Sequence, residues 1–115
     1  MVLNIAHRGG AGLAPENTIA CFKQGILYAD MIEFDVQPTF DHRLVVFHDR
    51  ENIERTTNGR GRISELYFEY LRSLDAGSWL NSHFQGEKIP TLSEVINFLP
   101  SSILIKYWSR VVTPD

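Results

Sequence analysis

The stretch IEFDVQPTFDHRLVVFHD, residues 32–49, decides how the rest of the chain is interpreted. It begins as an apolar strand that carries Glu33 and Asp35 on one face, because strand side chains alternate between two faces. A turn then leads to a second apolar strand, 44–47, which ends in His48. Ionisable side chains are unfavourable inside an apolar strand unless they are paired or bind something, so the pattern points to a functional site.

Composition sets limits on the class of protein. The chain has 115 residues, about one small domain, and 43% of them are hydrophobic, which is enough for a core. A net charge of -3 gives no sign of a nucleic-acid partner or of a polybasic membrane contact. We expect a cytoplasmic location, because Cys21 is the lone cysteine and we find no signal peptide or transmembrane segment.

The order of elements predicts an α/β fold. Main strands are predicted over 2–6, 31–36 and 103–105, and the 44–47 strand is a hairpin excursion from the second. Helices are predicted over about 17–28, 64–74 and 92–99, and Thr91 with Glu94 predicts a capping box at the start of the last of them. Strands separated by helices imply a parallel sheet, in which functional groups lie at the carboxyl ends of the strands. We therefore expect the polar residues at these ends to converge.

Five of these residues offer chemistry, each with a plainer alternative. Glu33 and Asp35 repel each other unless a cation lies between them or they share a proton, and Mg²⁺ or Ca²⁺ suits such oxygens. The alternative is a pair of solvated charges on an edge strand. His7 and His48 could act as general acid and base, or could be hydrogen-bonded structural histidines. Arg8, beside glycines, could grip a phosphate or form a surface ion pair.

Several motifs in order extend this pattern along the chain and resemble one family. They are His7-Arg8-Gly9-Gly10, Pro15-Glu16-Asn17-Thr18, Glu33-Phe34-Asp35-Val36 with Thr39 and Asp41, Val45-Val46-Phe47-His48-Asp49, Arg55-Thr56-Thr57-Asn58-Gly59, Leu74-Asp75-Ala76-Gly77-Ser78-Trp79 and Ile89-Pro90-Thr91-Leu92-Ser93-Glu94. Together they are similar to the glycerophosphodiester phosphodiesterases, from residue 3 to about 106.

This resemblance implies a partial TIM barrel of the phospholipase-C-like phosphodiesterase type, with the first three main strands and the small insertion of the family. It implies hydrolysis of a glycerophosphodiester to glycerol 3-phosphate and an alcohol. His7 and His48 would be the acid/base pair, and Arg8 would contact the phosphate. Glu33 and Asp35 would bind a divalent cation, Ca²⁺ or Mg²⁺.

The chain departs from the family pattern at one ligand position. The third main strand of the family usually reads Ile-Glu-Ile-Lys, and its Glu is the third carboxylate ligand. Here the matching residues are Ile103-Leu104-Ile105-Lys106, so Leu104 occupies the ligand position and Lys106 keeps the basic position that contacts substrate. An alkyl side chain cannot bind a hard cation, so we expect the affinity for the cation to be reduced.

The extent of the match leaves three hypotheses. We assign 2–106 to a partial phosphodiesterase domain, with the insertion at about 49–90, and 107–115 to an unmatched tail. A complete barrel needs eight strands and roughly 200 or more residues. The chain is therefore expected to be the N-terminal half of an enzyme, an inactive remnant or phosphate-binding module, or a half-barrel completed by a partner, including self-association through open sheet edges.

Overall fold

Strand β2, Met31–Pro38, lies at the centre of the sheet. The structure is a computed structural model, and it describes residues 3–109. Two strands pair with β2 in parallel and one pairs with it antiparallel: β1 (Ile5–Ala6) and β4 (Leu104–Ser109) are the parallel neighbours, and β3 (Leu44–Val46) is the antiparallel one. The predicted parallel arrangement with one hairpin excursion is confirmed.

Strand β4 is longer than the sequence predicted. A strand was expected over 103–105, whereas the observed strand continues through Ser109. Residues 107–109, which the sequence analysis assigned to the tail, therefore pair with β2. The rest of that tail, 110–115, and the first residue of the strand predicted at 2–6 lie outside the described residues.

The helices are short and well capped at two of their starts. The α-helices are α1 (Ile19–Gly25), α2 (Phe68–Ser73) and α3 (Leu92–Phe98), and single 3₁₀ turns cover His7–Gly9, Ile53–Arg55, Ile63–Glu65 and Ser82–Phe84. Thr18 accepts a hydrogen bond from the Cys21 backbone N–H at the start of α1. Thr91 and Glu94 form the predicted capping box at the start of α3.

The helix predicted over 64–74 is wrong in its first half. The chain makes a 3₁₀ turn at Ile63–Glu65 and becomes extended at Leu66 and Tyr67 before α2 begins. Asp41 explains where α2 starts, because its Oδ1 accepts a hydrogen bond of 3.0 Å from the Phe68 backbone N–H. This cap comes from the β2–β3 turn and is therefore a tertiary contact. The apolar pattern of residues 64–74 alone could not predict it.

One face of β2 forms the main core. Ile32, Phe34 and Val36 are at most 2% exposed, and they pack against Phe22 of α1 and Val95 of α3. The Phe22 and Phe34 rings meet edge to face, with centroids 5.8 Å apart. Since strand side chains alternate, the carboxylates of β2 point to the opposite face of the sheet.

The segment between β3 and α3 has a core of its own. Its buried side chains are Val45, Phe47, Ile53, Ile63, Leu71, Leu74, Ala76 and Ile89. Glu87 joins this unit to the sheet and helices, because its Oε2 accepts a 3.1 Å hydrogen bond from the Ala20 backbone N–H in the first turn of α1. Within the described part of the chain, no helix has the length and apolar character needed to cross a membrane.

Asp75 is expected to stabilise this second unit except in acid. Its carboxylate accepts hydrogen bonds from the Ser78 hydroxyl and from the backbone N–H groups of Ser78, Gly77 and Gly86. The Ser78 side chain first, and then the backbone N–H groups, hold the pKa of Asp75 well below its usual range.

The stabilisation from Asp75 is therefore present above the unfolded-state pKa of about 3.9 and is lost as pH falls below it. Asp75→Asn should lower the thermal midpoint at pH 7 by roughly 5 °C, and should lose less stability than the unmutated chain between about pH 4 and pH 2. Circular-dichroism melts measure both effects. Glu65→Gln, at an exposed carboxylate of the same segment, is the control. Equal acid sensitivity of the Asn variant and the unmutated chain would contradict the stabilising role given to Asp75.

Candidate active site

A strained turn places His7 and Arg8 directly after β1. Arg8 has a φ of 51°, in the left-handed region, and Gly9 follows with a φ of 81°. A Cβ on Gly9 would lie 2.5 Å from the Phe22 ring, so glycine is required there. The Arg8 carbonyl accepts a 2.8 Å hydrogen bond from the Asn17 backbone N–H, which ties the turn to the loop before α1. Strain held by tertiary contacts is typical of functional sites.

His7 contacts one of the two β2 carboxylates. Its Nδ1 lies 2.5 Å from Glu33 Oε1. A carboxylate can only accept, so Nδ1 donates and Nε2 is the nitrogen left for other chemistry. The His7 side chain is 67% exposed, whereas that of Glu33 is only 15% exposed. The sheet therefore holds an anchored imidazole whose far edge faces the open side of the site.

Asp35 is the more buried carboxyl, at 7% exposure. Its Oδ2 accepts a 3.2 Å hydrogen bond from Asn17 Nδ2, and the buried Oδ1 of the same Asn17 has no hydrogen-bond partner. Buried polar atoms without a partner are uncommon. An unsatisfied amide oxygen next to the Asp35 carboxylate, with Glu33 on the same face of β2, is the kind of oxygen donor that a hard divalent cation prefers, so these residues are chemically compatible with the group that the sequence implied.

Arg8 and His48 form the second contact of the site. Arg8 Nη2 lies 2.9 Å from His48 Nε2, and His48 Nδ1 lies 2.8 Å from Asp49 Oδ1. A guanidinium can only donate, so Nε2 of His48 accepts and carries no proton, and its Nδ1–H donates to Asp49. These hydrogen bonds therefore select one neutral tautomer of His48, with a lone pair at Nε2.

Gln37 fixes the backbone that carries His48. It lies on the same face of β2 as Glu33 and is 5% exposed. Its Nε2 lies 2.8, 3.1 and 3.1 Å from the carbonyl oxygens of Phe47, His48 and Asp49. The two N–H groups of one side chain of β2 are thus shared among three successive carbonyls at the end of β3.

Two partly buried carboxylates, Glu16 and Asp49, complete the polar cluster. Glu16 accepts from Arg8 Nη1 at 3.3 and 3.4 Å, and Arg55 bridges Glu16 to Asp49. Glu16, His48 and Asp49 offer three ligand atoms that lie within 4.8 Å of one another, a grouping that could hold a metal ion. This group is distinct from the predicted pair on β2, and guanidinium groups already contact both of its carboxylates.

Leu104 and Lys106 lie on the same face as the carboxylates. In the parallel register Leu104 is opposite Met31, and Lys106 is opposite Glu33. Leu104 is 51% exposed and adds no oxygen to the site. The Lys106 ammonium lies over the Trp108 ring, 4.9 Å from its centroid. On the site face, β4 thus presents one positively charged side chain, Lys106, and no carboxylate.

The sequence of residues 7–113 matches the sequence model of the glycerophosphoryl diester phosphodiesterase family. The chain belongs to this family. A glycerophosphodiester phosphodiesterase of Caldanaerobacter subterraneus is 51% identical over 98 residues, which cover 84% of this chain and 40% of that protein. The chain thus spans about 40% of the length of this curated relative.

Solved structures agree with the assignment of fold. The chain superimposes on a glycerophosphodiester phosphodiesterase of Agrobacterium tumefaciens with a TM-score of 0.90 and 34% identity, over 95% of this chain and 47% of that one. A phosphodiesterase of Oleispira antarctica, solved with the product sn-glycerol-3-phosphate, gives a TM-score of 0.89 and 37% identity, over 96% and 45%. The predicted partial TIM barrel is confirmed.

The structure adds four residues for which the sequence indicated no role in the site. Glu16, Asn17, Gln37 and Arg55 all lie in or beside the quoted motifs, but their partners are far away along the chain. Glu16-Asn17 could have been suspected because a charged and an amide side chain precede an apolar helix. Nothing in the spacing indicates that Arg55 reaches back 39 residues to Glu16.

Gln37→Leu should lower the stability of the chain, because it removes the contacts with the three carbonyls. The variant leaves buried carbonyl oxygens without a donor, so we expect a loss of about 1–3 kcal/mol in the free energy of unfolding. Urea denaturation followed by circular dichroism measures this loss. Gln24→Leu, at an exposed glutamine of α1, is the control and should change stability by no more than about 0.5 kcal/mol. Equal stabilities of the two variants would contradict the role given to Gln37.

Proposed function

We propose that this chain carries the phosphate- and metal-binding half of a glycerophosphodiester phosphodiesterase, which hydrolyses a glycerophosphodiester to glycerol 3-phosphate and an alcohol. The observation that carries the proposal is the hydrogen-bonded set His7–Glu33 and Arg8–His48–Asp49 at the end of the strands. Membership of the family supports the reaction, and the Oleispira relative with its bound sn-glycerol-3-phosphate supports the product.

His48 is the proposed general base. Its Nε2 lone pair accepts from Arg8, and an incoming phosphate oxygen would draw the Arg8 guanidinium away and release that lone pair. His7 is the proposed general acid, since Glu33 holds its Nδ1 and would stabilise an imidazolium whose Nε2–H faces the open side. His48 takes a proton from the substrate hydroxyl next to the phosphate, the oxygen of that hydroxyl bonds to phosphorus, and the phosphorus–oxygen bond to the alcohol breaks as His7 protonates the leaving oxygen. Water then opens the resulting cyclic phosphate by the reverse proton transfers, which gives glycerol 3-phosphate.

The remaining site residues bind and orient the substrate. Arg8 would grip two phosphate oxygens, and Lys106 would attract the same anion from β4. Glu33 and Asp35 would hold Ca²⁺ or Mg²⁺, which when bound polarises the phosphoryl group. Because Leu104 occupies the third ligand position, the affinity for that cation should be lower than in a site with three carboxylates.

Two further expectations belong to this proposal. We place the protein in the cytoplasm, supported by the free and buried Cys21, whose pKa is raised to about 12 chiefly by burial. We also propose self-association through β4. That proposal is supported by its exposed apolar side chains, Leu104, Ile105, Tyr107 and Trp108.

The purified 115-residue chain, given Ca²⁺ or Mg²⁺, should release glycerol 3-phosphate from glycerophosphocholine. His48→Ala should reduce this rate at least about 100-fold, because it removes the base. His83→Ala is the matched control, since His83 is an exposed histidine of the second unit and should leave the rate unchanged. A coupled assay for glycerol 3-phosphate measures all three. Turnover by the unmutated chain no faster than by the His48 variant would contradict the proposed activity, and calorimetric binding of glycerol 3-phosphate without turnover would favour a phosphate-binding module.

A further inference from the structure

Arg55 holds two carboxylates at once from the far side of the site. It ends the 3₁₀ turn Ile53–Arg55, in the second unit. Its Nε and Nη2 donate to Asp49 at 2.8 and 3.1 Å, and its Nη1 and Nη2 donate to Glu16 at 3.2 and 2.8 Å. The planar guanidinium thus makes a bidentate contact with each carboxylate, the geometry that a lysine cannot reproduce.

The same two carboxylates hold Arg8, the proposed phosphate-binding residue, and His48, the proposed base. Glu16 accepts from Arg8 Nη1, and Asp49 accepts from His48 Nδ1. Arg8 and His48 then contact each other, so the five side chains form a closed ring of hydrogen bonds. Glu16 is only 7% exposed at its side chain, and it has charged partners on both sides.

The charges on Asp49 and Arg55 strengthen the hydrogen bonds that hold the ring of side chains in place. Burial raises the pKa of Asp49, but hydrogen bonds from Arg55 and His48 outweigh it and lower that pKa overall. The contacts with Asp49 and then Glu16 raise the pKa of Arg55. Arg55 and Asp49 therefore remain charged, and the Asp49 oxygens remain acceptors. A cation among Glu16, His48 and Asp49 would have to displace these arginines.

We propose that Arg55 is a positioning residue for the proposed reaction: by clamping Asp49 and Glu16, it fixes the Nδ1–H tautomer of His48 and the orientation of Arg8. This inference rests on the proposed function. Arg55 makes its side-chain hydrogen bonds to Asp49 and Glu16 and acts on His48 and Arg8 through these partners. Its substitution should alter the protonated ring nitrogen of His48 even where no substrate is turned over.

The test is the tautomer of His48 in the full 115-residue chain, read from nitrogen chemical shifts in long-range ¹H–¹⁵N spectra at about pH 8. The unmutated chain should show the Nδ1–H form alone. Arg55→Met and Arg55→Lys should both show a mixture of the two tautomers, because neither side chain can hold both carboxylates in two-pronged contacts. Melting curves establish which variants are folded, and the lysine variant keeps the charge if the methionine variant does not fold.

Arg62→Met is the matched control. Arg62 lies in the same unit, its side chain is 48% exposed against 47% for Arg55, and it pairs with Glu51 outside the ring. This variant should keep the single tautomer. A single Nδ1–H tautomer in the folded Arg55 variants would overturn the proposal, and so would a lysine variant that matches the unmutated chain.

Kinetics provide a second readout and separate this proposal from the proposed function. Arg55→Lys should lower kcat by about 10- to 100-fold with a smaller change in KM, as expected when a reacting group is misplaced by a fraction of an ångström. Unchanged kcat in an active chain would overturn the positioning role. Absence of turnover in the unmutated chain would instead contradict the proposed function, and the tautomer measurement would still decide the role of Arg55.

Discussion

The alternation of side chains along β2 is the constraint on which both the core and the site depend. Ile32, Phe34 and Val36 are buried against the helices, so Glu33 and Asp35 must point to the other face. A slip of one residue in the pairing of β2 would bury both carboxylates in the core and expose the aromatic ring. Such a slip would lose much of the free energy of folding, because it buries charged groups and exposes apolar ones. The packing of Phe34 therefore fixes the positions of the ionisable groups.

The site is assembled by contacts that run between elements instead of along them. His7 and Arg8 follow β1, the carboxylates lie on β2, and His48 follows β3. Gln37 and Arg55 hold the end of β3 from two directions. The second unit, with its own core, therefore supports the site as well as connecting β3 to α3. Its removal would leave Asp49 without the guanidinium that holds it.

Much of this arrangement could be predicted from residues alone. The period-two pattern of β2 gave the faces of its side chains, and the order of strands and helices gave the parallel sheet. The capping box at Thr91 gave the start of α3. What could not be predicted depends on distant partners: Asp41 starts α2 by capping Phe68, and Arg55 joins Asp49 to Glu16. Local propensity contains no information about such contacts, because both partners are polar residues common in loops.

We propose that the β2 carboxylates and position 104 face one cation. The most direct measurement is a calorimetric Ca²⁺ titration of the unmutated chain and of the Leu104→Glu and Asp35→Asn variants. Leu104→Glu should bind Ca²⁺ at least about tenfold more tightly, since a third carboxylate joins the site, and Asp35→Asn should lose binding. Equal affinities for the unmutated chain and Leu104→Glu, or undiminished binding in Asp35→Asn, would contradict this proposal.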